Sequence, residues 1–234
     1  MGKTNAKLTL IDPALGQEVW STRRANNVVQ GAAGRELDVV AIEALAARIA
    51  ARNAPGRERI AVIVPIAHGA AAVLVDRAGE VVVAPDYEDP CFDEVSAQYL
   101  PLRDDYSLTF SPSLPLGLNL GRQLFYLQTR RADLFQRSAH VLLYPQYWSW
   151  RLSGAMAAEF TSLGTHTPIC GARTNRPIRR WPANRAGRAC CRRSARPPID
   201  WVASGKAWRT PPGSARPAKS HAAFMTRMRR TCAS

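Results

Sequence analysis

Small, hydroxyl and cationic residues lie together at the start of the chain. The segment from Gly2 to Lys7 (G-K-T-N-A-K) combines a residue without a side chain, a hydroxyl and two cations within one turn. Backbone N–H groups exposed in such a turn can bind anions, so the segment is a candidate phosphate-binding loop. It lacks the spaced glycines of a Walker A loop, and a plain exposed turn is the alternative.

A histidine follows a short apolar segment. Arg59 to Pro65 predicts a strand that is almost entirely apolar, as in a sheet covered on both faces. Ala67-His68-Gly69 follows the carboxyl end of that strand, where α/β sheets place their ligands. This position makes His68 a candidate binding residue. A hydrogen-bonded histidine that only terminates the strand is the alternative.

An acidic loop is the third candidate. Asp86-Tyr87-Glu88-Asp89-Pro90 places three carboxylates around one aromatic ring. Carboxylates accept hydrogen bonds from sugar hydroxyls, and an aromatic face packs beside the sugar ring. The loop therefore predicts a sugar-binding segment, with a solvated acidic turn as the alternative.

The elements that must position these segments alternate between strands and helices. Helical spacing of Val40, Leu45 and Ile49 predicts a helix over 37–52, which ends at Pro55-Gly56. Hairpins are predicted over 8–22 and 71–83, strands over 27–29 and 141–143, and further helices over 94–99, 118–129, 132–138 and 147–152. Strands followed by mixed elements predict an α/β domain.

Taken in order, these segments resemble the amino-terminal domain of the FGGY carbohydrate kinases, closest to rhamnulokinase-like members. The opening resembles the end of the phosphate motif D-x-G-x-T-x-x-K, of which Gly2, Thr4 and Lys7 remain. Ala67-His68-Gly69 resembles the family segment M-H-G, and Tyr87-Glu88-Asp89 resembles its aromatic-x-Asp before the sugar site.

Two further segments support the resemblance. Residues 123–127 (Q-L-F-Y-L) are similar to the signature K-L-x-W-L but depart from it at Gln123 and Tyr126. Residues 142–154 (L-L-Y-P-Q-Y-W-S-W-R-L-S-G) closely resemble L-L-x-P-D-Y-x-x-Y-R-L-T-G. The resemblance covers residues 1 to about 167.

The resemblance implies a ribonuclease-H/actin-like ATPase domain, with a mixed sheet and flanking helices, that holds a sugar. It implies transfer of the γ-phosphoryl of Mg·ATP to a sugar hydroxyl, with ATP and Mg²⁺ as cofactors and a ketose or deoxyketose as substrate. Gly2, Thr4 and Lys7 are expected near phosphate, and the sugar contacts are expected from His68, Gly69, Tyr87, Glu88 and Asp89. The preceding strand with its aspartate, the general base and the second domain are absent from this frame, so we expect no catalytic residue and no activity.

The composition changes abruptly at residue 168. Residues 168–234 contain 16 Lys and Arg residues, one acid (Asp200) and no leucine, whereas residues 1–167 contain 16 Lys and Arg against 17 acids. A segment with so few large apolar residues cannot offset its conformational entropy, so we expect a disordered, basic tail.

A displaced reading frame accounts for this composition. If the codons are read one base earlier, so that each new codon starts at the old third base, residues 169–172 can encode D-L-W-R, residues 187–195 can encode W-T-R-L-L-P-P-L-R, and residues 223–228 can encode G-I-H-D-S-N. The last string resembles the family segment that contains the catalytic aspartate. We therefore expect residues 168–234 to be out of frame.

Other classes of protein are less consistent with the sequence. The chain has no long apolar run and no signal peptide, which predicts a protein without a membrane partner. Its cysteines show no disulfide or zinc spacing, which favours the cytoplasm. The basic tail leaves a nucleic-acid-binding protein as the rival function, although we expect no specific nucleic acid partner. A sugar-binding remnant without phosphotransfer is the third possibility, and the sequence predicts no oligomeric state.

Overall fold

The computed structural model describes residues 2–52, 60–103, 105–157 and 219–220. Two antiparallel hairpins come first: β1 (Asn5–Asp12) with β2 (Gln17–Ala25), then β3 (Val28–Gly31) with β4 (Gly34–Leu37). The first hairpin was predicted. The second was predicted only as a strand near residue 28, because the connection Ala32-Ala33 has no turn-forming residue type.

A three-stranded antiparallel sheet lies at the centre, in the order β7-β6-β8. It consists of β6 (Ala72–Val75), β7 (Val81–Val83) and β8 (His140–Leu143). The β6–β7 hairpin agrees with the sequence prediction, and Asp76 closes its turn by accepting hydrogen bonds from the backbone N–H groups of Ala78 and Glu80 at 2.8 and 2.9 Å. Each residue of β6 is fully buried.

Helices cover both faces of this sheet. They are α1 (Val39–Arg52), α2 (Ser96–Tyr99), α3 (Tyr106–Thr109), α4 (Leu120–Arg130), α5 (Ala132–Arg137) and α6 (Tyr144–Ser153). Helix α6 begins with Pro145 in its first turn and ends at Gly154, whose φ of 76° is available to glycine at little cost. A 3₁₀ turn over Pro90–Val95 precedes α2, and another over Leu100–Leu102 follows it.

Alternation along β6 divides the apolar residues into two cores. Ala72 and Leu74 face one core together with Phe92, Leu124 and Leu127. Val73 and Val75 face the other core, which contains Ile42 of α1 and the aromatic residues of α6, Tyr144, Tyr147 and Trp148. Because successive side chains of a strand point to opposite faces, the four residues of β6 hold both layers of helices to one sheet.

A carboxylate links the two helices of the second core. Glu43 of α1 accepts a hydrogen bond from the Tyr147 hydroxyl at 2.8 Å and pairs with Arg151 of α6. Burial, followed by the nearby Glu43 carboxylate, raises the pKa of Tyr147 above its ordinary value. The phenol therefore stays protonated and donates to Glu43, which fixes α1 against α6.

A buried glutamine links α4 to two loops. Gln123 is 1% exposed, and its Nε2 donates to the carbonyl oxygen of Ala70 at 2.6 Å and to that of Gly117 at 2.5 Å. The N–H of Gly117 in turn donates to the carbonyl oxygen of Tyr87 at 2.9 Å. The side chain thus joins the segment before β6 to the loop that contains Tyr87.

The apolar segment before His68 is not buried, which contradicts the sequence prediction. Only Val62–Ile63 (β5) forms a strand, and Val62, Ile63, Val64 and Ile66 are all exposed, Ile66 by 74%. In the described part of the chain its one strand partner is β9 (Lys219–Ser220), which pairs with it in parallel. An apolar strand is buried only when other elements cover both of its faces. Within the described ranges, this segment is not covered on both faces.

The expected basic tail, residues 168–234, lies outside the described residues apart from Lys219–Ser220. Among the residues described, no helix is long and apolar enough to cross a membrane.

Replacing Gln123 with leucine should destabilise the fold by about 2 kcal/mol, because the carbonyl groups of Ala70 and Gly117 lose their donor in a buried place. Urea unfolding of the two proteins measures the difference. Gln128→Leu on the same helix, where no comparable pair of bonds is made, is the matched control and should change stability by less than about 0.5 kcal/mol. Equal effects from both variants would contradict this role for Gln123.

The apolar side chains exposed in this segment should promote self-association, since an exposed apolar patch favours association with other chains. A Val64→Lys, Ile66→Lys double variant should raise the concentration at which the protein aggregates, measured by light scattering, and leave the urea midpoint unchanged. Val40→Lys, on the exposed face of α1, is the control and should leave aggregation unchanged. A marked loss of stability in the double variant would show that the segment is packed in solution.

Candidate functional site

The turn before β1 is held in place by Asn26, the residue that follows β2. Asn26 Nδ2 donates to the Gly2 carbonyl oxygen at 2.9 Å, and the Asn26 N–H donates to the Thr4 carbonyl oxygen at 2.9 Å. Within the turn, the Gly2 N–H donates to the Asn5 carbonyl oxygen at 2.9 Å. Asn26 is nearly buried. No local sequence pattern singles out Asn26, because its partners are backbone atoms more than twenty positions away.

Lys3 connects this turn to the acidic loop. Its ammonium forms an ion pair with Asp86 and another with Glu88, at 3.1 Å from Glu88 Oε2, and lies 4.7 Å from the centre of the Tyr87 ring. Three successive residues of the loop therefore contact one cation. The structure thus brings together two segments that the sequence analysis assigned to phosphate and to sugar.

Asp86 is the most enclosed carboxylate of the loop, with 0% of its side chain exposed. Besides Lys3, it pairs with Arg35 at 3.0 Å. Two cations compensate the cost of burying this charge. Asp86 was part of the predicted acidic loop but was not among the predicted sugar contacts, and its position indicates that it fixes the loop.

Strand β4 aligns the acidic loop. The Leu37 N–H donates to the carbonyl oxygen of Ala84 at 2.7 Å, and the Asp86 N–H donates to that of Arg35 at 2.9 Å. Residues 84–86 therefore extend alongside β4 as an additional antiparallel segment, with an isolated bridge between Glu36 and Pro85. The hairpin that the sequence did not predict in full is the element that orients this site.

Asp89 uses its carboxylate for backbone contacts. It accepts hydrogen bonds from the N–H groups of Cys91 at 2.9 Å and Arg35 at 2.8 Å, and so caps the 3₁₀ turn that follows. Burial acts to raise its pKa, but these N–H donors outweigh burial and hold the pKa below its ordinary value. A Cβ on Gly34, where φ is 116°, would lie 2.9 Å from Asp89 Oδ2, so glycine is required for this contact.

Glu88 differs from its two acidic neighbours. Its side chain is 46% exposed, and the ion pair that the structure records for it is with Lys3. It is the carboxylate of this loop that a ligand can approach from solvent. Of the predicted sugar contacts in the loop, Glu88 therefore has the geometry of a ligand acceptor, whereas Asp89 has the geometry of a cap.

His68 packs between two tyrosines. Its ring centre lies 5.2 Å from that of Tyr87 and 4.8 Å from that of Tyr144. Burial raises the pKa of Tyr87; the Lys3 ammonium acts against this, and Glu88 and Asp86 act with it. The phenol is therefore neutral at physiological pH. His68 and the partly buried Gly69 thus lie beside the acidic loop, in the segment that Gln123 fixes through Ala70.

Lys7 and Thr4 lie apart from this cluster. Lys7 Nζ pairs with Glu18 at 2.6 Å across the first hairpin, where both side chains are about half exposed. Thr4 Oγ1 accepts a hydrogen bond from Asn5 Nδ2 at 3.2 Å. Alternation along β1 places Ala6 inside and Lys7 outside. The cation that the fold brings to the acidic loop is Lys3, which the motif comparison had passed over.

The described residues do not form a metal site by themselves. No three His, Cys, Asp or Glu side chains in the described ranges are placed to hold a metal ion together. The two acids nearest the turn, Asp86 and Glu88, are paired with Lys3 and Arg35. These pairs make the local carboxylates unsuitable as a ready set of Mg²⁺ ligands.

Solved structures with the same fold are carbohydrate kinases. A carbohydrate kinase from Novosphingobium aromaticivorans is 29% identical, with a TM-score of 0.66 over 77% of this chain and 38% of that one. A xylulose kinase from Lactobacillus acidophilus (17% identity, TM-score 0.61, 76% and 37% of the two chains) and a glycerol kinase from Plasmodium falciparum (13%, 0.61, 76% and 38%) share the fold.

No family model matches the chain, and no curated protein matches it. The chain spans less than two fifths of the length of the kinases it resembles in structure. The α/β architecture with helices on both faces of the sheet is confirmed by these neighbours. The resemblance found in the motifs is confirmed with it: over about 77% of its length this chain is similar to carbohydrate kinases of the FGGY family.

Proposed function

We propose that the described residues form the sugar-binding part of an ATP-dependent carbohydrate kinase, with a ketose or deoxyketose as the sugar. The observation that supports this most directly is the position of Lys3, whose ammonium joins the amino-terminal turn to Asp86 and Glu88. The segment expected near phosphate and the segment expected near sugar therefore lie side by side, as transfer between the two ligands requires.

In this proposal each group has a distinct part in binding. Glu88 accepts a hydrogen bond from a sugar hydroxyl, since its carboxylate is half exposed. Tyr87 and His68 supply the aromatic wall beside the sugar. The turn from Gly2 to Thr4 lies toward the phosphates of ATP, and Lys7 contributes only if the ion pair with Glu18 opens.

Phosphotransfer also needs a group that accepts the proton of the attacking hydroxyl. Asp86 is enclosed between two cations, and Asp89 is occupied by backbone N–H groups. Neither is available to a sugar hydroxyl. Glu88 is exposed but is paired with Lys3. We propose that this chain binds a sugar but does not transfer phosphate by itself, because the segment expected to contain the catalytic aspartate is out of frame. Mg²⁺ would accompany the nucleotide.

The carboxyl-terminal part belongs to the same proposal. Residues 168–234 are a product of a displaced reading frame, which accounts for their 16 basic residues and single acid. Sequencing the gene across the codons for residues 166–169 in independent isolates tests this, and an undisturbed frame in all of them would refute it. No observation on the described residues favours the nucleic-acid-binding alternative.

Sugar binding should depend on Glu88. A saturating ketose or deoxyketose, at about a hundred times its Kd, should stabilise the protein by about 2.7 kcal/mol, seen as a rise in Tm. Glu88→Gln should abolish most of that rise, and Glu80→Gln, in the distant β6–β7 turn, should leave it intact. A coupled assay with the same sugars and Mg·ATP should show no turnover. Measurable turnover would refute the proposed inactivity.

Asp89 should matter for stability rather than for the sugar. Because its pKa is lowered in the folded state, the ionised carboxylate stabilises the fold above its unfolded pKa near about 4, and that contribution disappears as the pH falls through the folded value. Asp89→Asn should therefore cost about 1–3 kcal/mol at pH 7 and progressively less below about pH 4.

Urea unfolding at several pH values measures this difference. Glu94→Gln, an exposed substitution in the same region, is the control and should be neutral at each pH. An Asp89→Asn protein of unchanged stability that fails to bind sugar would instead assign Asp89 to the ligand.

A further inference from the structure

Lys3 occupies a position that the phosphate motif leaves unspecified, between Gly2 and Thr4. Its ammonium nevertheless contacts three successive residues of the acidic loop, through ion pairs with Asp86 and Glu88 and through the face of the Tyr87 ring. We propose that Lys3 is a latch that couples an anion at the amino-terminal turn to the availability of Glu88. This inference rests on the proposed sugar site.

The two ion pairs differ in how readily they exchange. Asp86 has no exposed surface, so removal of its cation would leave a buried charge poorly compensated. Glu88 is 46% exposed, and a pair with an exposed carboxylate contributes little and is screened by salt. The ammonium is therefore anchored at Asp86 and exchangeable at Glu88.

The shape of the contact allows that exchange without a large movement. A lysine ammonium has three N–H donors, and the Tyr87 ring 4.7 Å away keeps the ammonium close to the loop. One donor stays on Asp86, while the donor now directed at Glu88 turns toward a phosphate oxygen near the turn. The Arg35 guanidinium, 3.0 Å from Asp86, holds the loop in place throughout.

The exchange has a consequence for both ligands. Without an anion, Lys3 competes with a sugar hydroxyl for the Glu88 carboxylate. With an anion bound, Glu88 is released to accept the hydroxyl. An anion and a sugar therefore strengthen each other's binding, and the coupling is the same whichever binds first.

The competition between an anion and Glu88 for the Lys3 ammonium is measured by titrating the protein with tripolyphosphate in a calorimeter at low ionic strength. Glu88→Gln should tighten its binding by about threefold to fivefold, since the competitor for Lys3 is gone and exposed ion pairs have about that strength. Glu80→Gln removes a charge elsewhere and should leave the affinity unchanged. An unchanged or weaker affinity in Glu88→Gln overturns the latch, and so does a wild-type chain that does not bind tripolyphosphate.

A double-mutant cycle shows whether the effect passes through Lys3. Lys3→Met should weaken tripolyphosphate binding, and Glu88→Gln should have no further effect in that background. If Lys3→Met does not fold, Lys3→Arg replaces it in the cycle. A planar guanidinium can bridge Asp86 and Glu88, so the gain in tripolyphosphate affinity on Glu88→Gln should be smaller in the Lys3→Arg background. A full gain in the Lys3→Met background would mean that Glu88 acts by general repulsion, and would overturn the latch.

The sugar titration separates this inference from the proposed function. Tripolyphosphate at saturation should tighten sugar binding by about the same threefold to fivefold. If no sugar binds but the cycle with Lys3 gives the expected result, the sugar site is wrong and the Lys3–Glu88 exchange stands. If sugar binds with the same affinity whether or not tripolyphosphate is present, the sugar site stands and the coupling is refuted.

Discussion

Strand β6 is buried on both faces, and both layers of helices pack against it. Its four residues have no exposed surface, and their alternation divides the apolar side chains into two cores. One core receives α4 and the other receives α1 and α6. A polar side chain anywhere in Ala72–Val75 would be placed within one of the two cores without a solvent path, so the sequence there is entirely apolar.

The site is an extension of that strand and of its neighbours. The segment with His68 leads into β6, and Gln123 of α4 fixes it through the Ala70 carbonyl group. The same glutamine fixes Gly117, whose N–H reaches the Tyr87 carbonyl oxygen. The two candidate sugar segments are therefore positioned by one buried amide, at the place where the FGGY signature has a lysine.

Much of this fold could be predicted because it depends on neighbours in the sequence. The periodicity of α1, the β6–β7 hairpin and the glycine stop at Gly154 each follow from residues within a few positions. The burial of the strand predicted over 59–65 was wrong, since burial is decided by elements far away in the chain, and Val62, Ile63 and Val64 are exposed. The β3–β4 turn was missed because Ala32-Ala33 carries no turn signal.

The candidate site shows the same division. Motif comparison placed His68 and Tyr87 at one site, and their rings do lie 5.2 Å apart, although sugar binding by them stays a prediction. It assigned Asp89 to the sugar and could not predict its role as a cap, because the Arg35 N–H from which Asp89 accepts a hydrogen bond is 54 positions away. It also passed over Lys3, because the motif does not specify a residue type at that position. Lys3 contacts the acidic loop only because β4 brings residues 84–86 beside the turn.

The contrast among the three carboxylates separates binding from transfer. Asp86 pairs with two cations, and Asp89 accepts hydrogen bonds from two backbone N–H groups, so both carboxylates hold the loop in place. Only Glu88 remains open to solvent, and the cation that it meets is supplied by the chain itself. A loop built in this way presents one carboxylate, Glu88, to a ligand, while Asp86 and Asp89 hold the backbone in the conformation that presents it. The sugar binding proposed for this loop therefore depends on Glu88, and the two buried carboxylates act on it through the position of the loop.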